Sequence, residues 1–253
     1  MSVADVSGRV ILITGGASGL GAAMAEVLVA RGAQVFLGDL NEEAGQALTG
    51  RLEGPGEAVF APVDVSDSQA VADFMARAEE RFGAVQVAIN NAGIDHAPTP
   101  LADLDDETFH RNIAVNLNGV FYCMRAEIRR MLQTGGGHII NLASVAGLRS
   151  APMIGAYAAA KHGVVGLTRT AAVEYARANI RVNAVCPSFV RTPMVESTME
   201  KMDEAGARRM VEANPMKRLG TPGEIAHAVA WLCSDESSFM TGQSWTLDGG
   251  LMA

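Results

Sequence analysis

The sequence predicts an α/β fold: one doubly wound parallel sheet of about seven strands with helices on both faces. Three observations carry that prediction. Short runs rich in Val and Ile alternate with stretches of helical period from the first residues onward. The first run opens directly into a glycine-rich turn and then a helical stretch. The second run ends in an acidic residue, Asp39.

Residues 10–13, 34–38, 58–63, 85–90, 138–142, 181–185 and 244–247 read as the strands. Their apolar character is continuous rather than alternating, which suits strands covered on both faces. Between them lie the helices. In 66–82, Val71, Phe74, Ala78 and Phe82 recur at helical spacing, with Ser66 or Asp67 as the cap and Gly83 as the stop. Arg31-Gly32 closes another helix the same way. Alternating strands and helices imply right-handed crossovers and a doubly wound sheet. Only 188–221 breaks the rhythm. This long insertion follows a strand's carboxyl end, where a substrate lid would sit. We read 1–253 as one domain carrying that lid.

Composition removes several classes of function. Of 253 residues, 49% are hydrophobic and 19% charged, which excludes global disorder. A net charge of −8 argues against nucleic acid and anionic membranes as partners. Cys123, Cys186 and Cys233 stand far apart and form neither a disulfide framework nor a zinc site. His110, His138, His162 and His227 show no metal spacing with one another, so no metal is expected. The uncharged stretch 10–25 is shorter than the roughly 20 apolar residues of a membrane span, and it carries four glycines. The opening MSVADVSGR lacks the basic-then-apolar pattern of a secretory signal. The expectation is a soluble cytoplasmic protein.

The turn Thr14-Gly15-Gly16-Ala17-Ser18-Gly19-Leu20-Gly21 lets the backbone bend tightly and approach a pyrophosphate, whose charge a helix N-terminus favours. Asp39 follows Gly21 by 18 residues, at the end of the second strand. A carboxylate there accepts both ribose hydroxyls and repels a 2′-phosphate. An ordinary strand–helix turn with a solvated Asp39 is the bland alternative.

The chain holds only three tyrosines and three lysines, yet Tyr157 and Lys161 stand four apart. On a helix that spacing places both on one face. A free phenol titrates near pH 10, and an adjacent ammonium would lower that value toward the working range. Such a pair suits proton transfer to or from an alcohol. An inert surface contact explains the pair alone equally well.

With these residues in view, the chain resembles the classical short-chain dehydrogenases/reductases along its whole length from Gly8. Thr14-Gly15-x-x-x-Gly19-x-Gly21 looks like the cofactor turn, Asp64-Val65 like the adenine segment, and Asn90-Asn91-Ala92-Gly93 like the fourth-strand motif. Asn116, Ser144, Tyr157 and Lys161 match the catalytic four. The resemblance implies a Rossmann-type sheet in the order 3-2-1-4-5-6-7. It implies Tyr157 as general acid or base and Ser144 on the substrate oxygen. Lys161 would hold the nicotinamide ribose and depress the tyrosine. Asn116, in a helix over 108–132, would position a relay water. Gly15, Ser18, Gly19, Leu20, Gly21, Asp39, Asp64, Val65, Asn91, Ala92, Gly93, Pro187, Val190 and Thr192 would join Tyr157 and Lys161 around the cofactor. Gly16, Ala17, Leu40 and Asn41 offer no charge to a 2′-phosphate, so the cofactor expected is NAD. Relatives usually carry Pro-Gly after the sixth strand; this chain has Pro187-Ser188. Most are tetramers built on two long helices, here 108–132 and 154–177, and on the last strand, so a homotetramer is expected.

The substrate is read less directly. Five of 13 methionines (194, 199, 202, 210, 216) fall in 194–216, where even spreading gives about one. Flexible thioethers make an adaptable apolar surface, suited to an apolar, alicyclic or aromatic alcohol or ketone. Packing of the lid onto the sheet, or onto a neighbouring subunit, explains them too. Ser144, Asp95, His96, Met153, Ser188, Phe189, Met194 and Met199 are the candidate substrate residues. Two other enzymatic readings stand beside this one. The first is a 3-oxoacyl-(acyl carrier) reductase docking its carrier on Arg125, Arg129 and Arg130. The second is a small hydroxy-acid or diol dehydrogenase using Arg149 or Arg191. A non-catalytic NAD(H)-sensing protein is the reading from another class.

Overall fold

The computed structural model describes residues 4–253. Its strands are β1 (Val10–Thr14), β2 (Gln34–Asp39), β3 (Glu57–Pro62), β4 (Val87–Asn90), β5 (Gly137–Leu142), β6 (Ile180–Pro187) and β7 (Ser244–Leu247). They form one parallel sheet in the order β3-β2-β1-β4-β5-β6-β7. The helices are α1 (Gly19–Ala30), α2 (Glu42–Thr49), α3 (Ser68–Phe82), α4 (Asp106–Ile113), α5 (Val120–Thr134), α6 (Gly155–Tyr175), α7 (Pro193–Glu200), α8 (Glu204–Ala213) and α9 (Pro222–Leu232).

The absence of alternation in the strands has a direct cause. Successive side chains point to opposite faces, and both faces are covered. Leu12, Phe36, Ile139 and Val182 pack with Phe74, Ile128 and Val164 of α3, α5 and α6. Ile11, Ile13, Leu37 and Ile140 pack on the other side with Leu28 and Val229 of α1 and α9. Each such aliphatic side chain contributes about 1.5–3 kcal/mol relative to exposure. The chain reverses its direction of winding between β1's two neighbours, β2 and β4. That switch opens a crevice beyond the carboxyl ends of the central strands.

Local signals set the boundaries. Asp67, not Ser66, caps α3 by accepting from the Gln69 and Ala70 N–H groups, and Gly83 ends it at φ 85°. Thr221 and Glu224 form a reciprocal capping box at the start of α9. The helix expected over 108–132 is interrupted: Ala114–Gly119 widens into a π-helical turn between α4 and α5. Apolar period does not reveal a one-residue widening. The insertion 188–221 holds α7 and α8 before reaching α9. Among the described residues, no helix is long and apolar enough to cross a membrane.

Candidate active site

A cleft of about 550 Å³ lies at the carboxyl ends of β1, β2, β4, β5 and β6. The glycine turn forms one wall. Gly15 has φ +63°, and a Cβ there would lie 2.7 Å from the Ala92 Cα, so only glycine lets the two segments meet. Ser18 caps α1 without a side-chain bond, which leaves the first-turn N–H groups of α1 open to an anion. Gly15, Ser18, Gly19 and Leu20 line the cleft. Gly21 does not: its missing Cβ would sit 2.0 Å from the Gly15 carbonyl oxygen, so it serves the packing of α1 on the turn.

Asp39 is fixed beside this turn. One carboxylate oxygen accepts the Ala17 N–H at 3.0 Å and the other the Asn41 N–H at 3.0 Å. A carboxylate offers about four acceptor positions, so hydroxyls can still bind. Asp64 and Val65 line the same cleft, joined by Arg111, Ala114 and Val115, none of which the sequence pointed to. Asp64 accepts from the Ser66 N–H at 2.8 Å and hydroxyl at 2.7 Å.

The segment after β4 is clipped to the glycine turn. Asn91 Nδ2 donates to the Gly15 oxygen at 2.7 Å, and Thr14 Oγ1 accepts from the N–H groups of Asn91 and Ala92. Asn116, in the π-helical turn, holds the other end. Its Nδ2 donates to the Ile94 oxygen at 2.8 Å and to Asn112 Oδ1 at 3.0 Å, and its Oδ1 accepts the Ile94 N–H at 2.8 Å. Both amide hydrogens are occupied, so any water its side chain orders has one lone pair left to bind. A Cβ on Gly93 would meet Asn116 Oδ1 at 2.9 Å and stand 3.7 Å from Lys161 Nζ.

Tyr157 and Lys161 project one turn apart from α6, Lys161 buried and Tyr157 half-buried, with Lys161 Nζ 5.5 Å from the tyrosine ring centre. Nζ donates to the Leu142 oxygen at 2.7 Å. Ser144 follows β5, accepts the Ala146 N–H at 3.1 Å, and lies against the Tyr157 hydroxyl. One expectation is corrected here. Burial dominates the tyrosine and pushes it up to about 12, opposed by the Ser144 hydroxyl and reinforced by the charge of Asp95. Burial likewise pushes Lys161 down to about 8. In the protein alone, desolvation outweighs the expected lowering of the phenol by the ammonium.

Asn91, Ala92, Gly93, Pro187, Val190 and Thr192 line the cleft as expected. Of the candidate substrate residues, Ser144, Ser188 and Met194 do so; Asp95, His96, Met153, Phe189 and Met199 do not. The reasons are local. Asp95 accepts the Thr198 hydroxyl of α7 at 3.2 Å. The His96 ring nitrogen Nδ1 rests against its neighbour's carbonyl at 2.8 Å. Met153 takes φ +72° and is 44% exposed. The chain is extended where Val190 bridges Gly220, so Ser188 and Val190 face the cleft and Phe189 points away. On α7 the first turn (Pro193, Met194, Val195) meets the cleft, and Met199 lies beyond it. Ser188 does not take a left-handed backbone conformation, so its turn needs no glycine.

Four of the five arginines behind the rival readings have neighbours of their own. Arg125 stacks over Phe121 and Tyr122, and Arg130 pairs with Glu79 at 2.6 Å. Arg149 reaches the Leu251 carbonyl at 3.5 Å and Arg191 stands 3.8 Å from Glu196.

The residues present fit a dinucleotide: an open helix N-terminus, a glycine whose Cβ would block the approach, and an acid held at one end of the cleft. Comparison with known proteins agrees with that fit. A family model described as Enoyl-(Acyl carrier protein) reductase matches residues 15–252. A 2,5-dichloro-2,5-cyclohexadiene-1,4-diol dehydrogenase of Sphingobium indicum is 42% identical over 99% of this chain and 100% of its own. A cyclohexanol dehydrogenase of an Acinetobacter species is 41% identical over 95% of this chain and 94% of its own. The crystal structure of a levodione reductase superimposes with a TM-score of 0.93 at 40% identity, covering 96% of this chain and 97% of that one. Similarity of this extent, in sequence and in three dimensions, means that the chain belongs to the short-chain dehydrogenase/reductase family and is an oxidoreductase of alcohols and ketones.

Proposed function

We propose that the protein is an NAD(H)-dependent enzyme interconverting a secondary alcohol on a six-membered ring and its ketone. The observation that carries this reading is the cleft itself: Tyr157, Ser144 and Lys161 share one wall system with Asp39 and the glycine turn. The relatives named for cyclohexanol and a cyclohexadiene diol supply the ring.

The bound nicotinamide supplies a hydride acceptor or donor, and the protein supplies everything around it. Ser144 and Tyr157 hold the substrate oxygen between two hydroxyls. For ketone reduction, Tyr157 gives its proton to that oxygen; with the phenol near 12, the neutral acid is present throughout the physiological range. For alcohol oxidation, Tyr157 must take a proton as phenolate, which burial opposes; a charged ammonium at Lys161, whose Nζ stands 5.5 Å from the ring centre, works the other way. Oxidation therefore rises with pH, while reduction stays flat near neutrality. Asp39 and the uncharged residues beside it support NAD over NADP.

The same reading places a homotetramer on α5 and α6, where Phe121, Leu132 and Val173 are exposed apolar side chains. Light scattering at the tetramer mass supports this; a monomer contradicts it. Three buried free cysteines fit the reducing cytoplasm.

Absorbance at 340 nm with NAD⁺ and a panel of cyclic alcohols tests the activity. We expect turnover of cyclohexanol-type substrates and at least about tenfold lower kcat/KM with NADP⁺. NADH binding without turnover of any alcohol or ketone supports the sensor instead.

A further inference from the structure

Four polar side chains are buried in a row behind the cleft, and none of them lines it. Glu127 of α5, Asn90 of β4, Asn141 of β5 and Thr168 of α6 are each at most 1% exposed. Asn90 Nδ2 donates to Glu127 Oε2 at 3.1 Å and to Asn141 Oδ1 at 3.0 Å. Asn141 Nδ2 donates to Thr168 Oγ1 at 2.9 Å, and that hydroxyl donates to the Val164 oxygen at 2.8 Å. The row thus crosses from α5 through two strands to the helix that carries Tyr157 and Lys161.

A buried polar row is costly unless each member is matched. As a carboxylate, Glu127 offers only acceptors. Its Oε1 and Asn90 Oδ1 then both lack a donor. One proton on the carboxyl supplies the missing donor, and the unmatched amide oxygen belongs to the same side chain that already bonds Oε2. Burial acts in the same direction and raises the carboxyl to about 8. The neighbouring elements bring no countercharge among the described residues. Cys123, one turn back on α5, is a thiol itself pushed well above its usual range by burial. The strands bring Asn90 and Asn141, α6 brings Thr168, and Glu79 of α3, which packs on α5, is held by Arg130 at 2.6 Å.

Asn90 is the point where this row meets the cleft. It lies opposite Thr14 of β1 and Asn141 of β5, and it is the last residue of β4. The next three residues, Asn91, Ala92 and Gly93, all line the cleft. They have little room to move, since Ala92 abuts Gly15 and Gly93 stands between Asn116 and Lys161. A shift of Asn90 therefore reaches the glycine turn and the lysine together.

We infer that Glu127 is a positioning residue for the cofactor: as a neutral acid it pairs reciprocally with the Asn90 amide, and so fixes the turn Asn91-Ala92-Gly93 against the glycine turn and Lys161. The inference rests on the reading of the cleft as an NAD(H) site. It gives a residue outside the cleft control over how tightly that site holds its dinucleotide.

The test is an NADH titration followed by fluorescence, which needs no turnover. At pH 7, Glu127→Gln should bind NADH within about twofold of the wild type, because an amide keeps both bonds to Asn90. Glu127→Leu should bind it about fivefold more weakly, the scale on which residues without ligand contact tune a site, while KM for cyclohexanol stays unchanged. Between pH 7 and pH 9 the wild type should lose about fivefold in NADH affinity relative to Glu127→Gln, as its carboxyl gives up the proton. Lys161 titrates in the same range but is common to both proteins and cancels. This comparison decides the matter if Glu127→Leu does not fold. Parallel pH curves for the wild type and Glu127→Gln overturn the positioning role. So does a Glu127→Leu protein whose Tm falls while its NADH affinity is untouched. Either result leaves the NAD(H) reading standing. No NADH binding by the wild type at any pH overturns that reading and this inference with it.

Discussion

The two ends of the cleft are built on different principles. At the nucleotide end, backbone touches backbone: the Gly15 site admits no Cβ, Asn91 clips the glycine turn, and both oxygens of Asp39 are held. At the lid end, flexible side chains face partly open space, with Met194 38% and Met216 60% exposed. The first end demands one shape and one residue type at each position; the second tolerates change. A family can thus keep one cofactor site and vary its substrates.

The largest effect that would break this comparison belongs to Lys161, because it faces Tyr157 and the cofactor wall together. Lys161→Ala should lower kcat/KM by about 10² or more, the scale of acid–base assistance. It should also change the pH profile of alcohol oxidation near pH 8, where Lys161 itself loses its charge. An unmoved pH profile would show that the ammonium plays no part in proton transfer.

Next in size is the discrimination at Asp39. Asp39→Ala removes the charge opposing a 2′-phosphate, and kcat/KM with NADP⁺ should gain about tenfold relative to NAD⁺. An unchanged ratio would locate cofactor choice elsewhere, with Arg111 the next residue to change. Met194→Ala should be milder, altering KM for the alcohol about two- to fivefold while leaving NADH affinity alone, as one adaptable apolar contact among several would. An equal loss of cofactor affinity would erase the contrast between the two ends.

The smallest effect concerns stability beneath the nucleotide end. Glu127 of α5 is buried against Asn90, and burial raises its carboxyl from 4.5 to about 8. A folded-state value above the unfolded one means stability is full below about pH 4.5 and is lost as pH rises through about 8. Glu127→Gln should flatten that decline. Its Tm should exceed the wild type's by several degrees at pH 9, at about 2–4 °C per kcal/mol for a chain of this size. Parallel Tm curves for the two proteins would contradict this.

The same contrast explains what was legible in the sequence. Gly15, Gly19, Asp39, Asn91 and the Tyr157–Lys161 pair could be read because few residue types satisfy positive φ, close approach or a one-turn helical pairing. Strand periods revealed the sheet because burial on both faces leaves a continuous apolar signature. The π-helical turn around Asn116 was not read, since an apolar pattern over so few residues does not separate i→i+5 from i→i+4 bonding. Arg111 was hidden because its place on the cleft wall is set by tertiary packing. Lid composition named methionines but not their directions: only Met194 reaches the cleft, and Met216 lines a second cavity. The tyrosine's ionisation was misjudged because charge pairing is visible in spacing and desolvation is not.

The central claim is that the Tyr157 hydroxyl moves the proton at the reacting carbon's oxygen while hydride passes to or from the nicotinamide. Tyr157→Phe, assayed for cyclic-alcohol oxidation at 340 nm and for NADH binding by fluorescence on the same preparation, tests it most directly. The account predicts a loss in kcat of at least about 10² with NADH affinity near that of the wild type. Turnover close to wild type in this variant would contradict it.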